Sequence, residues 1–180
     1  QALASVMGNI DYTLYNKYSL SVSMRGDGSS MVGDDHTWGF FPSVSLSWDM
    51  KQEEWVRHLK AVTMLKLRTG YGRSGNLGGI SAYTTMNTVR QNGIVSVNSS
   101  PTVTMGMIRN NNPDLKWETR ATWNLGADLG LWNNCLVLTA EYYYSKTTDM
   151  LYAYDVPVPP FAYDKLLANI GSMSNQGLEL

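Results

Sequence analysis

Charge is scarce in this chain. Asp, Glu, Lys and Arg make up 16% of its 180 residues, against roughly 25% in ordinary soluble domains. No apolar run approaches about 18 residues, which excludes a transmembrane helix, although hydrophobic residues reach 43%. No Lys/Arg cluster is present and the net charge is -1, so nucleic acid is not an expected partner. Cysteine is reduced to Cys135, which makes neither an intrachain disulfide nor a Cys-based metal site. The two histidines, His36 and His58, stand far apart without an HxxxH pattern, so zinc is not expected. Catalytic patterns are missing too. There is no Gly-x-Ser-x-Gly and no nucleophile beside a base. The glycine-rich run Arg73–Gly79 lacks the Lys and following helix of a phosphate loop. No enzyme, cofactor or metal site is expected. A mean hydropathy of -0.24 decides nothing, because strands that alternate apolar and polar residues average to mild values.

What the chain does have is period two. From Trp38 to Trp48 the even positions carry Trp38, Phe40, Pro42, Val44, Leu46 and Trp48, and the odd ones mostly glycine and serine. Side chains of a strand alternate faces, so one face is apolar and the other small and polar. The pattern recurs at Val6–Leu14, Tyr18–Met24, Leu65–Tyr71 and Leu136–Tyr144. Its longest instance runs Leu115–Leu131, with Trp117, Ala121, Trp123, Leu125 and Leu129 opposed by Lys116, Glu118, Arg120 and Asn124. A further strand is expected near Asn169.

Length separates two architectures. Strands of soluble proteins average about 5–6 residues, whereas a membrane-crossing strand needs about 9–11 at roughly 45° tilt. Trp38–Trp48 is about 33 Å long at roughly 3.3 Å per residue. Tilted, it rises roughly 24 Å, close to the roughly 25 Å apolar band of an outer-membrane barrel. The connections agree. Tyr15–Lys17 and Trp132–Cys135 are tight and fall on one side of an up-and-down sheet. Gly26–His36, Arg73–Pro113 and Tyr152–Lys165 are long and fall on the other, as in barrels with short periplasmic turns and long external loops. The medium connection, Met50–Ala61, has acids leading and bases trailing, which suits a short helix. The expected fold is all-β: part of an antiparallel up-and-down transmembrane β-barrel of about seven strands, long loops on one side, spanning residues 1–180.

The Gly- and Asp-rich segment Gly26–His36 admits other readings. Arg25-Gly26-Asp27 spells an adhesive tripeptide, and Asp27, Asp34 and Asp35 with Ser29 and Ser30 could cage calcium, although no twelve-residue helix-flanked loop accompanies them. Asn98-Ser99-Ser100 is a glycosylation sequon by pattern alone. A soluble or secreted β-rich binding module with its apolar face turned inward also stays open, as does a passive porin or adhesin barrel.

The residues carry a family likeness. Arg25-Gly26-Asp27-Gly28-Ser29-Ser30, Trp38-Gly39-Phe40-Phe41-Pro42-Ser43, Leu65-Lys66-Leu67-Arg68-Thr69-Gly70-Tyr71-Gly72, Asn112-Pro113-Asp114-Leu115-Lys116-Trp117-Glu118 and Asn169–Leu180 follow one another in order and spacing. In these pieces the chain resembles the barrel of SusC/RagA-type TonB-dependent outer-membrane transporters of Bacteroidetes. The resemblance implies energised import of large nutrients (oligosaccharides or peptides) and a SusD-like surface lipoprotein as lid. It also implies coupling to the TonB complex through a plug domain, and outer-membrane lipid around the wall. Neither plug, TonB box nor barrel-closing C-terminal strand is expected within these residues, and both ends read as cut from a longer chain. Lys66, Arg68, Lys116, Glu118 and Arg120 are the expected lumen-lining charges, their rows able to pair between neighbouring strands. Trp38, Phe40, Trp48, Trp117 and Trp123 are the expected lipid-facing or girdle residues. Tyr83, Arg90, Arg109 and Asn111, in the longest external loop, have the chemistry to stack on or hydrogen-bond a cargo.

Overall fold

A computed structural model describes residues 2–97 and 99–180; Asn98 of the sequon lies outside the described residues. Seven long strands form one antiparallel sheet: β1 (Leu3–Leu14), β2 (Tyr18–Ser29), β3 (Trp38–Asp49), β4 (Val62–Asn76), then β7 (Glu118–Leu131), β8 (Leu136–Thr148) and β11 (Ser172–Glu179). Between them stand two hairpins, β5 (Val89–Val97) with β6 (Ser100–Met107), and β9 (Leu151–Asp155) with β10 (Lys165–Asn169). The sheet order β1-β2-β3-β4-β7-β8-β11 keeps each strand beside the next once the hairpins are counted as excursions. Six of the strands have 12 to 15 residues, well beyond the usual soluble length. Among the described residues no helix is long and apolar enough to cross a membrane.

The strands form because one face of every pair matches. Ile10 lies opposite Val22, Val22 opposite Val44, Val44 opposite Tyr71, Tyr71 opposite Trp123 and Trp123 opposite Tyr144. On the other face Ser23 and Ser43 share a hydrogen bond of 2.7 Å. Slipping any strand by one residue would exchange the two faces, so the alternation itself sets the register. Val44, Leu46, Trp38 and Phe40 all remain exposed on the apolar face, with no second sheet or helix laid over them among the described residues.

At the tight-turn end Tyr15 and Asn16, and then Trp132, Asn133 and Asn134, adopt positive φ, the conformation that closes short hairpins. Met50–Gln52 and the one-turn helix α1 (Glu54–Arg57) fill the medium connection. Lys51 Nζ donates to the carbonyls of Val56, Arg57 and Leu59 at 3.1–3.4 Å, satisfying the helix's orphan acceptors. Glu53 accepts from Lys17 Nζ (3.0 Å), Tyr18 Oη (3.0 Å) and Trp48 Nε1 (3.2 Å). The Lys17 ammonium foremost, then the Tyr18 hydroxyl, hold its carboxyl below the ordinary carboxylate range.

Several boundaries differ from expectation. β2 continues through Arg25-Gly26-Asp27 to Ser29, so the adhesive tripeptide is strand and no loop tip. β4 runs on to Asn76, and the last long strand, β11, begins at Ser172 after β10 has ended at Asn169. β7 begins at Glu118, three residues after Leu115, because Leu115 is drawn into a buried cluster above the sheet.

Candidate functional site

Two surfaces hold the chemistry: the polar face of the sheet and the layer of loops at one end. On the polar face β1–β3 contribute a hydroxyl-rich sector, Ser19 opposite Ser47, Ser21 opposite Ser45 and Ser23 opposite Ser43. β4, β7 and β8 contribute a charged one. Arg68 lies opposite Gly126, whose missing side chain leaves room for the guanidinium; a Cβ there would stand 3.1 Å from Arg68 Nη2. Arg68 donates to Asp128 from Nε (2.9 Å) and Nη2 (3.3 Å), and to Glu141 from Nη2 (3.5 Å). Thr139 and Asn124 donate to the same two carboxylates, and Lys66 lies opposite Asp128. Asp128 and Glu141 were not expected as site residues. Their signal was in the alternation, since both fall in the polar phase of strands already recognised.

The expected pairing of the Lys66/Arg68 row with the Lys116/Glu118/Arg120 row does not form. The antiparallel register sets Glu118 against Asn76 and Arg120 against Ser74, far along the strands from Arg68. Arg120 Nε instead donates to the buried Ser145 hydroxyl at 2.6 Å. Lys116 precedes β7 and forms an ion pair with Asp149 at 2.8 Å. Glu118 receives Asn76 Nδ2 and the Leu151 amide, both at 3.3 Å. Lys116 thus joins loops at the rim, ahead of the wall, while Glu118 is the first residue of β7, opposite Asn76 at the wall's upper edge.

The loop layer is a folded cap. Met31, Val32, Ile80 and Leu115, from three separate stretches, form a buried cluster with Leu77, Trp117, Leu151 and Leu167 against it. Trp117, expected among the lipid contacts, is drawn into this cluster. It stacks edge-on against Phe41, ring centroids 5.5 Å apart, where β3 and β4 have parted beyond the Ser43–Gly72 pair. The Gly33 amide donates to the Leu115 carbonyl at 2.8 Å.

Three asparagines stitch the long loops together. Asn110 Nδ2 donates to the carbonyls of Tyr163 (2.6 Å) and Lys165 (2.9 Å), and its Oδ1 accepts the amides of Ala162 and Tyr163. Two residues on, Asn112 Nδ2 donates to the Leu167 carbonyl at 2.9 Å. Asn169 bonds both the amide and the carbonyl of Lys116 (2.9 and 2.8 Å) and the Asp149 carbonyl (2.8 Å). The side chains Asn110 and Asn112 act on β10 much as the edge of a neighbouring strand would.

Of the residues expected to meet cargo, Tyr83 is exposed with positive φ and Arg90 is exposed on the β5–β6 hairpin. Arg109 is engaged within the loop, its Nη2 donating to the Ala82 carbonyl at 3.1 Å, and Asn111 is half-buried between the two stitching asparagines. Among the described residues the acids considered for calcium do not gather: Asp27 sits in β2 and pairs with Arg25 at 2.7 Å, whereas Asp34 and Asp35 lie in a short helix of their own. Trp38, Phe40 and Trp123 are exposed on the apolar face, and Trp48 stacks on Tyr18 at 5.9 Å.

A wall of long strands, apolar outside and charged inside, under a cap of folded loops is also what comparison with known proteins returns. Residues 2–180 match the family model described as TonB dependent receptor-like, beta-barrel. The chain belongs to this family. It is 34% identical over 179 residues to the TonB-dependent receptor SusC of Bacteroides thetaiotaomicron, covering 98% of this chain and 18% of that one. It is 35% identical over 184 residues to the TonB-dependent receptor P39 of Formosa agariphila, covering 99% and 17%. The chain therefore spans less than a fifth of the length of these relatives. Among solved structures it superposes on the RagAB peptide importer in its closed-closed and open-open states, with TM-scores of 0.85 and 0.86, 26% identity, and 98% of this chain against 19% of that one. The siderophore receptor PirA from Pseudomonas aeruginosa shares the fold alone, at TM-score 0.63 and 14% identity over 98% of this chain and 30% of that one. This TonB-dependent receptor chain is an outer-membrane protein, and its seven-stranded sheet is a sector of barrel wall.

Proposed function

We propose that this chain is the wall and loop sector of an active importer that carries large nutrients, oligosaccharides or peptides, across the outer membrane. The plug domain and TonB box stand elsewhere in the whole protein, and energy arrives through the TonB complex. A SusD-like surface lipoprotein closes over the loop layer. The observation that carries this reading is the double match over 98% of the chain, to SusC at 34% identity and to the RagAB peptide importer at TM-score 0.86.

The division of labour follows from the chemistry. The charged inner sector around Arg68, Asp128 and Glu141, together with the serine sector, gives a wet wall past which a polar cargo moves without meeting an apolar barrier. Arg68, Asp128 and Glu141 are already paired with one another, so they line the path without gripping the cargo. Contact falls to the loop layer, and we assign Tyr83 and Arg90 to it as the exposed candidates, with Arg109 and Asn111 shaping the loop that presents them. The Asn110, Asn112 and Asn169 stitches keep that layer in one arrangement, so cargo meets a preformed surface.

The test is growth and uptake in a strain lacking the gene for the whole protein. Loss of uptake of one class, oligosaccharide or peptide, is expected, restored by the gene and abolished again when TonB is removed. Uptake that persists without TonB would make the barrel a passive porin, and unchanged uptake of both classes would end the importer reading. Substituting Tyr83 and Arg90 by Ala should raise the cargo concentration needed for half-maximal uptake while leaving barrel assembly intact.

A further inference from the structure

In the outward phase of the seven long strands only two side chains carry charge, Arg73 on β4 and Lys146 on β8. Both are cations. They fall in one transverse row, Arg73 opposite Ala121 and Ala121 opposite Lys146, about 10 Å apart by two strand spacings. Next toward the tight turns on the same face and strands come Tyr71, Trp123 and Tyr144. A cation in mid-hydrocarbon is strongly disfavoured and becomes tolerable only at the interface, where aromatic side chains also collect. Neither Arg73 nor Lys146 forms an ion pair among the described residues.

Arg73 lines a cleft of about 330 Å³, with His36, Asp35, Lys116 and Asp149 toward the loops and Trp38 and Phe40 toward the sheet. Asp149 is already neutralised by Lys116. The indole N–H of Trp117, another wall of the cleft, is buried and has no acceptor among the described residues. Trp38 and Phe40 also wall a second depression on the membrane side, an apolar groove of about 660 Å³ flanked by Val6 and Met24. Gly8 and Gly26 open this groove by lacking side chains. A polar, cation-bearing cleft and an apolar groove that share two aromatic walls match one kind of molecule.

We propose that the outer wall binds an anionic, phosphate-bearing lipid. One acyl chain lies in the Gly8–Gly26 groove beneath Trp38 and Phe40. The phosphate meets Arg73 at the cleft, with Lys146 as the second cation of the row and the Trp117 N–H available to a headgroup oxygen. The site is separate from the path taken by cargo, and it ties this sector of wall to the leaflet on the loop side.

The whole protein, extracted in mild detergent, is titrated with phosphatidylglycerol or phosphatidylcholine and read by native mass spectrometry. Phosphatidylglycerol should be retained at least tenfold better, and R73Q/K146Q should lower it to the phosphatidylcholine level. A Cβ at Gly8 meets nothing within 4 Å, so Gly8→Leu fills the groove without strain and should weaken both lipids. Inorganic phosphate at equal concentration should displace neither. Equal retention of the two lipids, an unchanged double variant, or full displacement by inorganic phosphate (a site for the free anion) would each overturn the proposal. Should the double variant fail to assemble, Arg73→Gln must lose phosphatidylglycerol and Arg73→Lys must keep it, and any other outcome of that pair is equally fatal.

Discussion

Leu115→Ala tests whether the loop layer is held by its own core. Leu115 has no exposed surface and touches the cluster built from residues 31–32, 77–80 and 115–117. Truncating a buried leucine costs about 2–5 kcal/mol, depending on how far the site collapses. This cluster is small and has open surface around it, so relaxation is easy and about 2–3 kcal/mol is expected. The loss should fall on the cap alone, since the wall is held by strand ladders that Leu115 does not enter. An opening equilibrium shifted by that amount is a roughly 30- to 150-fold change, at about 1.4 kcal/mol per tenfold. Hydrogen exchange on the whole protein in detergent reads it directly. The amides of Gly33, which donates to the Leu115 carbonyl, and of Ile80, which donates to the Leu77 carbonyl, should exchange faster by that factor, while amides of β7 and β8 stay unchanged. Unchanged protection at Gly33 and Ile80 would show that the cap does not rest on this core. Equal loss across cap and wall would show that the two are not separate cooperative units.

Gly33→Ala should loosen the same layer by a different route. An added Cβ would stand 2.0 Å from the Pro113 carbonyl oxygen, so overpacking of about 1–3 kcal/mol is expected, whereas Gly8→Ala should stay within about 0.5 kcal/mol; limited proteolysis of the loops compares them. Arg68→Ala leaves Asp128 and Glu141 facing each other without their shared cation, and the midpoint of thermal unfolding in detergent should fall by an amount corresponding to about 1–3 kcal/mol, between exposed and buried ion pairs. An unchanged midpoint would mean the pair is solvated and idle. The Glu53 carboxyl is held low by Lys17, so its contribution is present above the ordinary carboxylate range and is lost as pH falls through that range to the lower folded value. Trp48 fluorescence, coupled through the indole N–H to Glu53, should change as pH falls below the ordinary carboxylate range in the natural protein and stay flat in Glu53→Gln; the same curve in both would contradict the clamp.

The wall was legible because it is written twice in every strand, once on each face. Trp38–Trp48 could only be a strand with one apolar side, and its length spoke for a membrane. The cap was illegible for the opposite reason. Leu115 and Trp117 keep the period of β7, so alternation alone extends the strand through them. Only contact with Met31, Val32 and Ile80, distant in sequence, removes them from it. Lys116 went with them, a residue read as wall that became a residue of the rim, whereas Glu118 and Arg120 stay in the polar phase of β7. The hairpin β5–β6 did leave a trace, in the β-branched runs Ile94-Val95-Ser96-Val97 and Thr102-Val103-Thr104-Met105, which pair in its ladder. Asn110, Asn112 and Asn169 left none. An asparagine that satisfies another segment's backbone is the same in sequence as one on a free surface. Arg73 and Lys146 became informative once register placed them in one row.

The central claim is that hydrocarbon touches one face of this sheet and water the other. Nitroxide labels placed singly along β3 and β7 of the whole protein in lipid bilayers measure it. Positions 44, 46, 123 and 129 should show high oxygen and low nickel-chelate accessibility, and positions 43, 45, 124 and 128 the reverse. Equal accessibility at both sets, or low accessibility to both probes at 44, 46, 123 and 129, would mean that protein covers that face and that this sheet is not a membrane wall.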